Sequence, residues 1–336
     1  MRPFKYTAAQ GATSATALIG SNPNAMFLAG GTNLLDLMKE GVEQPNQLVD
    51  VSGLHDANVS IITSGVNKGG VSISGFGKNT EAANHPLIRM QFPMLSQAIL
   101  AGATQQIRNM ATNAGNLNQR TRCPYFYETS MPCNKREPGS GCSALEGWNR
   151  NHAIFGWSDK CVAVHPSDMC VALAALNAVV KVKAASGGEK LIPFNEYHRL
   201  PGDTPQKDNA LEHGDLIVSL EIPPNNFADK SYYLKVRDRS SYAFALVSVA
   251  AGIEMRNNVI KEVRIAMGGV AHKPWRAVEA EKYLIGKPAT VENFTTAANA
   301  EMAMAKPLEH NRFKVELGRR AIVRALSQAL AGAEKS

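Results

Sequence analysis

Ala25-Met26-Phe27-Leu28-Ala29-Gly30-Gly31-Thr32-Asn33-Leu34-Leu35-Asp36-Leu37-Met38 is the stretch on which the fold turns. A short apolar run stops at two glycines, and Thr32-Asn33 then stand before Leu34, Leu35, Leu37 and Met38. That order predicts a strand, a glycine turn and a helix capped by a short polar side chain. Consecutive glycines reach backbone conformations closed to other residues, so their N–H groups can converge with the helix N-terminus on an anion. A pyrophosphate suits such a turn. On its own, however, the tetrapeptide reads as no more than a tight strand-to-helix connection.

Downstream, Gln47–Val51 and Val71–Phe76 read as strands, and helical stretches open at Thr80-Glu81 and at Ser96. Gly102-Ala103-Thr104 and Ile107 to Asn116 form a second segment rich in small residues and Asn, with Thr and Asn side chains free for a ligand, or else a plain turn. His165-Pro166-Ser167-Asp168 leads into a helix capped by Ser167 or Asp168, in which Cys170 reads as a small core residue. Strands follow at Ala178–Lys183, Leu191–Phe194 and Leu216–Ile222, and Pro223-Pro224-Asn225-Asn226 marks the best domain boundary. Beyond it, Tyr232–Arg237 precedes two apolar runs, Ala245–Met255 and Val259–Met267, joined by Asn257-Asn258 as a hairpin. Helices are expected at Trp275–Leu284 and Arg312–Leu330, the latter with Phe313, Leu317, Ile322, Leu326 and Leu330 at helical spacing.

With 336 residues, the chain calls for two or three structural units. Its 36 Lys and Arg against 29 Asp and Glu give a formal charge of +7, but the basic residues are scattered, which suits a solvated surface or a face for an acidic partner better than nucleic acid. The N-terminus lacks the apolar core of a signal peptide and no stretch approaches a membrane span, so a soluble chain without its own export address is expected. No Gly-x-Gly-x-x-Gly follows a strand, Gly77-Lys78 lacks the rest of a P-loop, and neither a Ser-His-Asp context nor His-Glu-x-x-His occurs. Nucleotide-hydrolysing and protease classes drop out.

Four of the five cysteines, Cys123, Cys133, Cys142 and Cys161, fall within thirty-nine residues of aperiodic loop rich in Gly, Pro, Asn and Arg. An odd count without a signal peptide argues against a disulfide framework and for thiolate ligation. Intervals of nine, eight and eighteen residues contain no Cys-x-x-Cys knuckle, the usual signature of structural zinc. Separated thiolates suit a larger iron–sulfur cluster, although the spacing is not a familiar ferredoxin one. A [4Fe–4S] cluster therefore ranks above zinc, with unligated thiols third. Arg120, Arg122, Lys135, Arg136 and Arg150 surround the cysteines and are expected to favour thiolates. His152 and His165 could replace a cysteine ligand, but each is assigned a structural, hydrogen-bonded role.

These motifs, in this order, resemble the FAD-binding medium subunits of molybdenum hydroxylases, the xanthine dehydrogenase and carbon monoxide dehydrogenase group, over essentially the whole chain. Leu28-Ala29-Gly30-Gly31-Thr32-Asn33-Leu34-Leu35 is similar to the family's first flavin motif and Ala111-Thr112-Asn113-Ala114-Gly115-Asn116-Leu117 to its second, with Ala114 where a glycine is usual. Ser167-Asp168-Met169 resembles its Ser-Asp-Leu segment, and Lys235 its lysine near the isoalloxazine. In the family the second motif leads to the Ser-Asp segment within about a dozen residues, whereas here all four loop cysteines lie in between and Cys170 lies outside. Arg120 to Tyr127 and Pro132 to Arg136 resemble the cluster-carrying insertion of bacterial periplasmic aldehyde oxidoreductases.

The resemblance implies an α+β fold: a two-lobed FAD-binding domain of the vanillyl-alcohol-oxidase (PCMH) type over 1–225, with lobes of about 1–55 and 56–225 and an insertion of about 118–165, then a small C-terminal α/β-sandwich domain over 226–336 like that of CO dehydrogenase flavoproteins. It implies FAD held by Phe27, Leu28, Ala29, Gly30, Gly31, Thr32, Asn33, Leu34, Gly102, Thr112, Gly115, Asn116, Asp168 and Lys235, and a [4Fe–4S] cluster held by Cys123, Cys133, Cys142 and Cys161, with no catalytic residue on this chain. It further implies a heterotrimer with a large molybdopterin subunit that oxidises aldehyde to carboxylate and a small subunit with two [2Fe–2S] clusters. The chain would pass electrons to an external acceptor after co-export to the periplasm on a signal-bearing partner, the alternative location being the cytoplasm. Other readings are the flavin subunit of a hydroxybenzoyl-CoA reductase or another molybdenum hydroxylase, a free-standing flavin oxidase, and a zinc-stabilised binding module.

Overall fold

The computed structural model describes residues 1–332. Three short strands, Lys5–Ala8, Ala25–Leu28 and Gln47–Asp50, form a parallel sheet with Gln47–Asp50 in the middle. Parallel neighbours require crossovers. The helices Ala12–Gly20 and Leu34–Lys39 supply them, and Ala15, Ile19, Ala25 and Val49 pack beneath. The Gly30-Gly31 turn consequently sits beyond the carboxyl end of a parallel strand, where such sheets open ligand crevices.

A second sheet is antiparallel throughout, in the order Val59–Ile61, Val71–Ser74, Leu216–Ile222, Val179–Lys183, Glu189–Pro193. Its core includes Ile73, Leu95, Ala98, Leu173, Val180 and Leu220. Helix Asp168–Ala175 is buried at every residue, which accounts for its lack of an amphipathic pattern. The helix expected from Ser96 begins at Pro93, whose fixed φ suits the first helical turn. Residues 107–116, read as a ligand-bearing segment or turn, fold into two short helices, Gln105–Met110 capped by Thr104 and Asn113–Leu117 capped by Thr112. Phe194, expected to end a strand, instead opens the short helix Phe194–Tyr197.

The third sheet runs Ser231–Val236, Val247–Arg256, Val259–Gly268 and Trp275–Arg276 as an antiparallel meander. Asn257 and Asn258 turn its hairpin with φ of 50° and 62°, as the favoured two-residue turn demands. Two expectations are corrected here. Trp275-Arg276 pairs with Met267 and Ala266 as an edge strand, so the helix begins only at Val278. A further helix, Val291–Met302, was not anticipated, and it packs between Val278–Leu284 and Phe313–Ala331. Helices Pro93–Ala101 and Asp168–Ala175 pack against this third sheet, which brings Lys235 beside the start of the buried helix. Among the described residues, no helix is long and apolar enough to cross a membrane.

Candidate functional site

A cleft of about 790 Å³ opens between the first sheet and the third, a size that small-molecule sites commonly have. The glycine turn forms one wall through Phe27, Ala29, Gly30, Gly31, Thr32, Asn33 and Leu34; Gly102, Thr112, Gly115 and Asn116 form another, and Asp168 and Lys235 close it. Leu28 is not among the residues that line the cleft. A Cβ at Gly30 would stand 2.1 Å from the carbonyl oxygen of Met110, and Gly31 has φ of 69°. The turn therefore needs glycine at both positions, one for close backbone approach and one for a left-handed conformation.

Asn33 does not cap its helix as expected. Its Oδ1 accepts from the backbone N of Arg120 at 2.7 Å and its Nδ2 donates to Asp36, so it ties the cysteine insertion to the glycine turn. Thr112 Oγ1 accepts from Gly115 N at 3.1 Å. Asn116 donates to Asn79 Oδ1 at 2.7 Å and accepts from Ser167, linking the second motif to the cap of the buried helix. There, Asp168 Oδ2 pairs with Lys235 Nζ at 2.7 Å and Oδ1 accepts from Tyr233 Oη at 2.6 Å. Burial, and next the adjacent carboxylate, push the Tyr233 phenol well above its ordinary pKa, so it stays a donor.

Arg108, Arg122, Tyr127, Arg239, Tyr242 and Phe244 also line the cleft, and none was singled out for it from the sequence. They come from three separate segments and have no common spacing. Arg122, Pro124 and Tyr127 belong to the insertion, so the cysteine loop supplies part of the cleft wall. Tyr127 Oη and Arg122 Nη1 both reach Asp36 Oδ2 at 3.1 Å, fastening the loop to the first helix of the glycine motif.

Cys123, between Arg122 and Pro124, lines a small cavity that Cys133, Cys142 and Cys161 also line. All four are free thiols, and Cys133 pairs with Cys142 across an isolated bridge. Burial, reinforced by the other sulfurs, pushes the Cys123 thiol up to about 12 and Cys161 to about 11, with Cys142 raised for the same reason. The expected cationic collar is mostly spent elsewhere. Arg120 pairs with Glu43 and Asp208, Arg122 with Asp36, Lys135 with Asp208 and Arg150 with Asp238, while Arg136 donates to the backbone carbonyls of Tyr125 and Phe126. Lys135 alone acts to lower a loop thiol, Cys161.

Among the described residues, the one trio of His, Cys, Asp or Glu with donor atoms all within 4.8 Å of one another is His165, Cys170 and His198. No three loop sulfurs are therefore that close. A tetrahedral zinc with bonds of about 2.3 Å would hold its sulfurs about 3.8 Å apart, and in any three of the loop sulfurs at least one pair stands farther apart than that. In the trio, His198 Nε2 bonds to the Leu117 carbonyl at 2.9 Å and its ring packs on His165. Cys170 is fully buried among apolar side chains, the core position expected of it.

The sequence matches the FAD binding domain in molybdopterin dehydrogenase over residues 2–225 and the CO dehydrogenase flavoprotein C-terminal domain over residues 232–330. It is 46% identical over 338 residues to the aldehyde oxidoreductase FAD-binding subunit PaoB of Escherichia coli strain K12, covering 99% of this chain and 100% of that one. It is 26% identical over 284 residues to the glyceraldehyde dehydrogenase medium chain of Sulfolobus acidocaldarius, covering 84% and 82%. Carbon monoxide dehydrogenase from Hydrogenophaga pseudoflava superposes with a TM-score of 0.74 at 23% identity over 98% of each chain, and the reconstituted enzyme from Oligotropha carboxidovorans with 0.75 at 20% identity over 99% and 100%. At those identities the structures speak for the fold. With both domain families matched in order along nearly the whole sequence, and the α+β architecture to go with them, this chain belongs to the FAD-binding medium subunits of the molybdopterin dehydrogenases, the xanthine dehydrogenase family.

Proposed function

We propose that this chain is the flavin subunit of a molybdenum-dependent aldehyde oxidoreductase, with a [4Fe–4S] cluster in its cysteine loop. The observation that carries the reading is full-length identity of 46% to a protein named as an aldehyde oxidoreductase FAD-binding subunit. The cleft fits FAD: a turn restricted to glycine forms one wall, and a buried, hydrogen-bonded ion pair closes the far one. Gly30, Gly31, Thr32 and Asn33 hold the pyrophosphate, Phe27, Ala29, Leu34, Gly102, Thr112, Gly115 and Asn116 shape the rest, and Asp168 with Lys235 fixes the polarity beside the ring. Bound FAD supplies the redox chemistry by which electrons from the partner subunits reach an external acceptor.

The thiol pocket fits a cluster by its donors: four sulfurs line one cavity, and no three of them lie within 4.8 Å of one another. Cys123, Cys133, Cys142 and Cys161 would lose their protons on ligation, and bonding to iron offsets the cost of burying the thiolates. The assembly is a heterotrimer with a large molybdopterin subunit and a small subunit bearing two [2Fe–2S] clusters, exported to the periplasm on a signal carried by a partner. The domain division is 1–225 and 226–336, with the cluster insertion at about 118–165. The test is to purify the complex anaerobically, assay flavin, iron and sulfide, and follow aldehyde-dependent reduction of an artificial acceptor. One FAD per chain, iron in excess of the partners' clusters and aldehyde-dependent turnover are expected. Absent aldehyde-dependent turnover overturns the function, and FAD without excess iron overturns the cluster.

A further inference from the structure

We infer that His152 is a positioning residue for the iron–sulfur group, donating a hydrogen bond to the Cys123 sulfur and holding up the reduction potential of the cluster at the corner nearest the flavin cleft. The inference rests on the cluster reading above. His152 Nε2 stands 3.1 Å from Cys123 Sγ, and the residue is buried. Its main chain is fixed by the C-terminal domain: Lys314 Nζ and Asn311 Nδ2 donate to its carbonyl oxygen at 3.0 and 3.2 Å. Lys314 is itself fully buried and its Nζ also donates to the Gly269 carbonyl at 2.8 Å, which ties the His152 main chain to the C-terminal sheet.

The tautomer follows from the partner. A sulfur bound to iron carries no proton and can only accept. Facing it, Nε2 must be the protonated nitrogen, in the neutral ring as in the cation. Nδ1 is buried with no protein hydrogen-bond partner, so the Cys123 sulfur is the contact that fixes the ring's polar edge. Hydrogen bonds to cluster sulfurs favour the more negative, reduced state and so raise the potential. Cys123 is the ligand through which this matters most, since its chain neighbours Arg122 and Pro124 line the flavin cleft.

The test uses the assembled complex with His152→Phe, which has no donor, and His152→Gln, which keeps one. EPR-monitored redox titration should show the cluster's midpoint potential shifted downward in the phenylalanine variant and largely retained in the glutamine variant, with flavin and [2Fe–2S] midpoints unmoved. Pulsed EPR of wild type grown with ¹⁵N-histidine should show a nitrogen coupling to the reduced cluster, lost in His152→Gln. An unchanged midpoint in His152→Phe with full iron content overturns the inference, and so does absence of histidine nitrogen coupling in wild type. If the phenylalanine variant loads no iron, the coupling experiment decides. A wild-type complex with FAD but no iron on this chain defeats the cluster reading and this inference together, whereas normal iron with either negative result defeats this inference alone.

Discussion

Lys235 Nζ lies 2.7 Å from Asp168 Oδ2, with both side chains buried, although one sits on a strand of the C-terminal sheet and the other starts a helix 67 positions earlier. Removing one member of such a pair leaves an uncompensated charge, at a cost of about 3–5 kcal/mol. Lys235→Met is expected to lower the unfolding free energy, measured by urea denaturation, by that amount. Lys235→Met combined with Asp168→Asn should recover part of it, because the neutral amide still accepts from Tyr233. A double variant no more stable than Lys235→Met would show that the lysine stem, not its charge, is what packs there.

Gly30→Ala must push a methyl against the Met110 carbonyl. Overpacking of this kind costs about 1–3 kcal/mol, and relief comes by moving the segment that carries Thr112 and Asn116, the opposite wall of the cleft. The variant is expected to fold and to purify with most of its FAD missing. Gly31→Ala should be destabilised by roughly 1–2 kcal/mol, the penalty for a left-handed non-glycine residue. Flavin fluorescence after acid release checks the first and urea denaturation the second, and full FAD occupancy in Gly30→Ala would contradict the close approach.

Much of the scaffold is legible locally. The Gly-Gly turn, the Ser167 cap and the Asn257-Asn258 hairpin each follow from the conformations a few neighbouring residues allow, and the two flavin motifs meet across the cleft as their resemblance implies. What could not be read depends on partners distant in the chain. Trp275 is an edge strand because Met267 offers it a ladder, and helix Val291–Met302, rich in Thr, Asn and Ala, owes its stability to burial of Phe294, Ala297 and Ala298 more than to propensity. Arg120 and Arg122 looked like counter-charges for thiolates. Glu43, Asp208 and Asp36, remote in sequence, claim them instead.

Asp208 joins Arg120 and Lys135 beneath the cysteine loop. Burial alone would raise its pKa, but Lys135 first and then Arg120 hold it well below the usual carboxylate range. Because the folded value is depressed, the stabilisation is complete above the unfolded pKa of about 3.9 and fades as pH falls from there toward the folded value. Asp208→Asn should therefore be less stable than wild type by about 3–5 kcal/mol near neutrality, with the gap closing below about pH 4. Chemical denaturation across pH checks the sign; a gap that widens in acid would refute it.

The cysteines divide by position. Cys142 shares the small cavity with Cys123, Cys133 and Cys161, whereas Cys170 is enclosed by the apolar core, its thiol pushed up to about 12 chiefly by burial. Loss of one ligand from a four-thiolate set removes a corner of the cluster, so Cys142→Ser should purify with FAD but with iron and sulfide reduced to those of the partner subunits. Cys170→Ser places a hydroxyl of similar size where Ser167 Oγ already receives the Cys170 backbone N–H at 3.1 Å. It should keep full iron and lose about 1–3 kcal/mol of stability for a buried polar group without a strong partner. Metal analysis and EPR of the two variants side by side separate the roles, and equal iron in both would strike Cys142 from the ligand set.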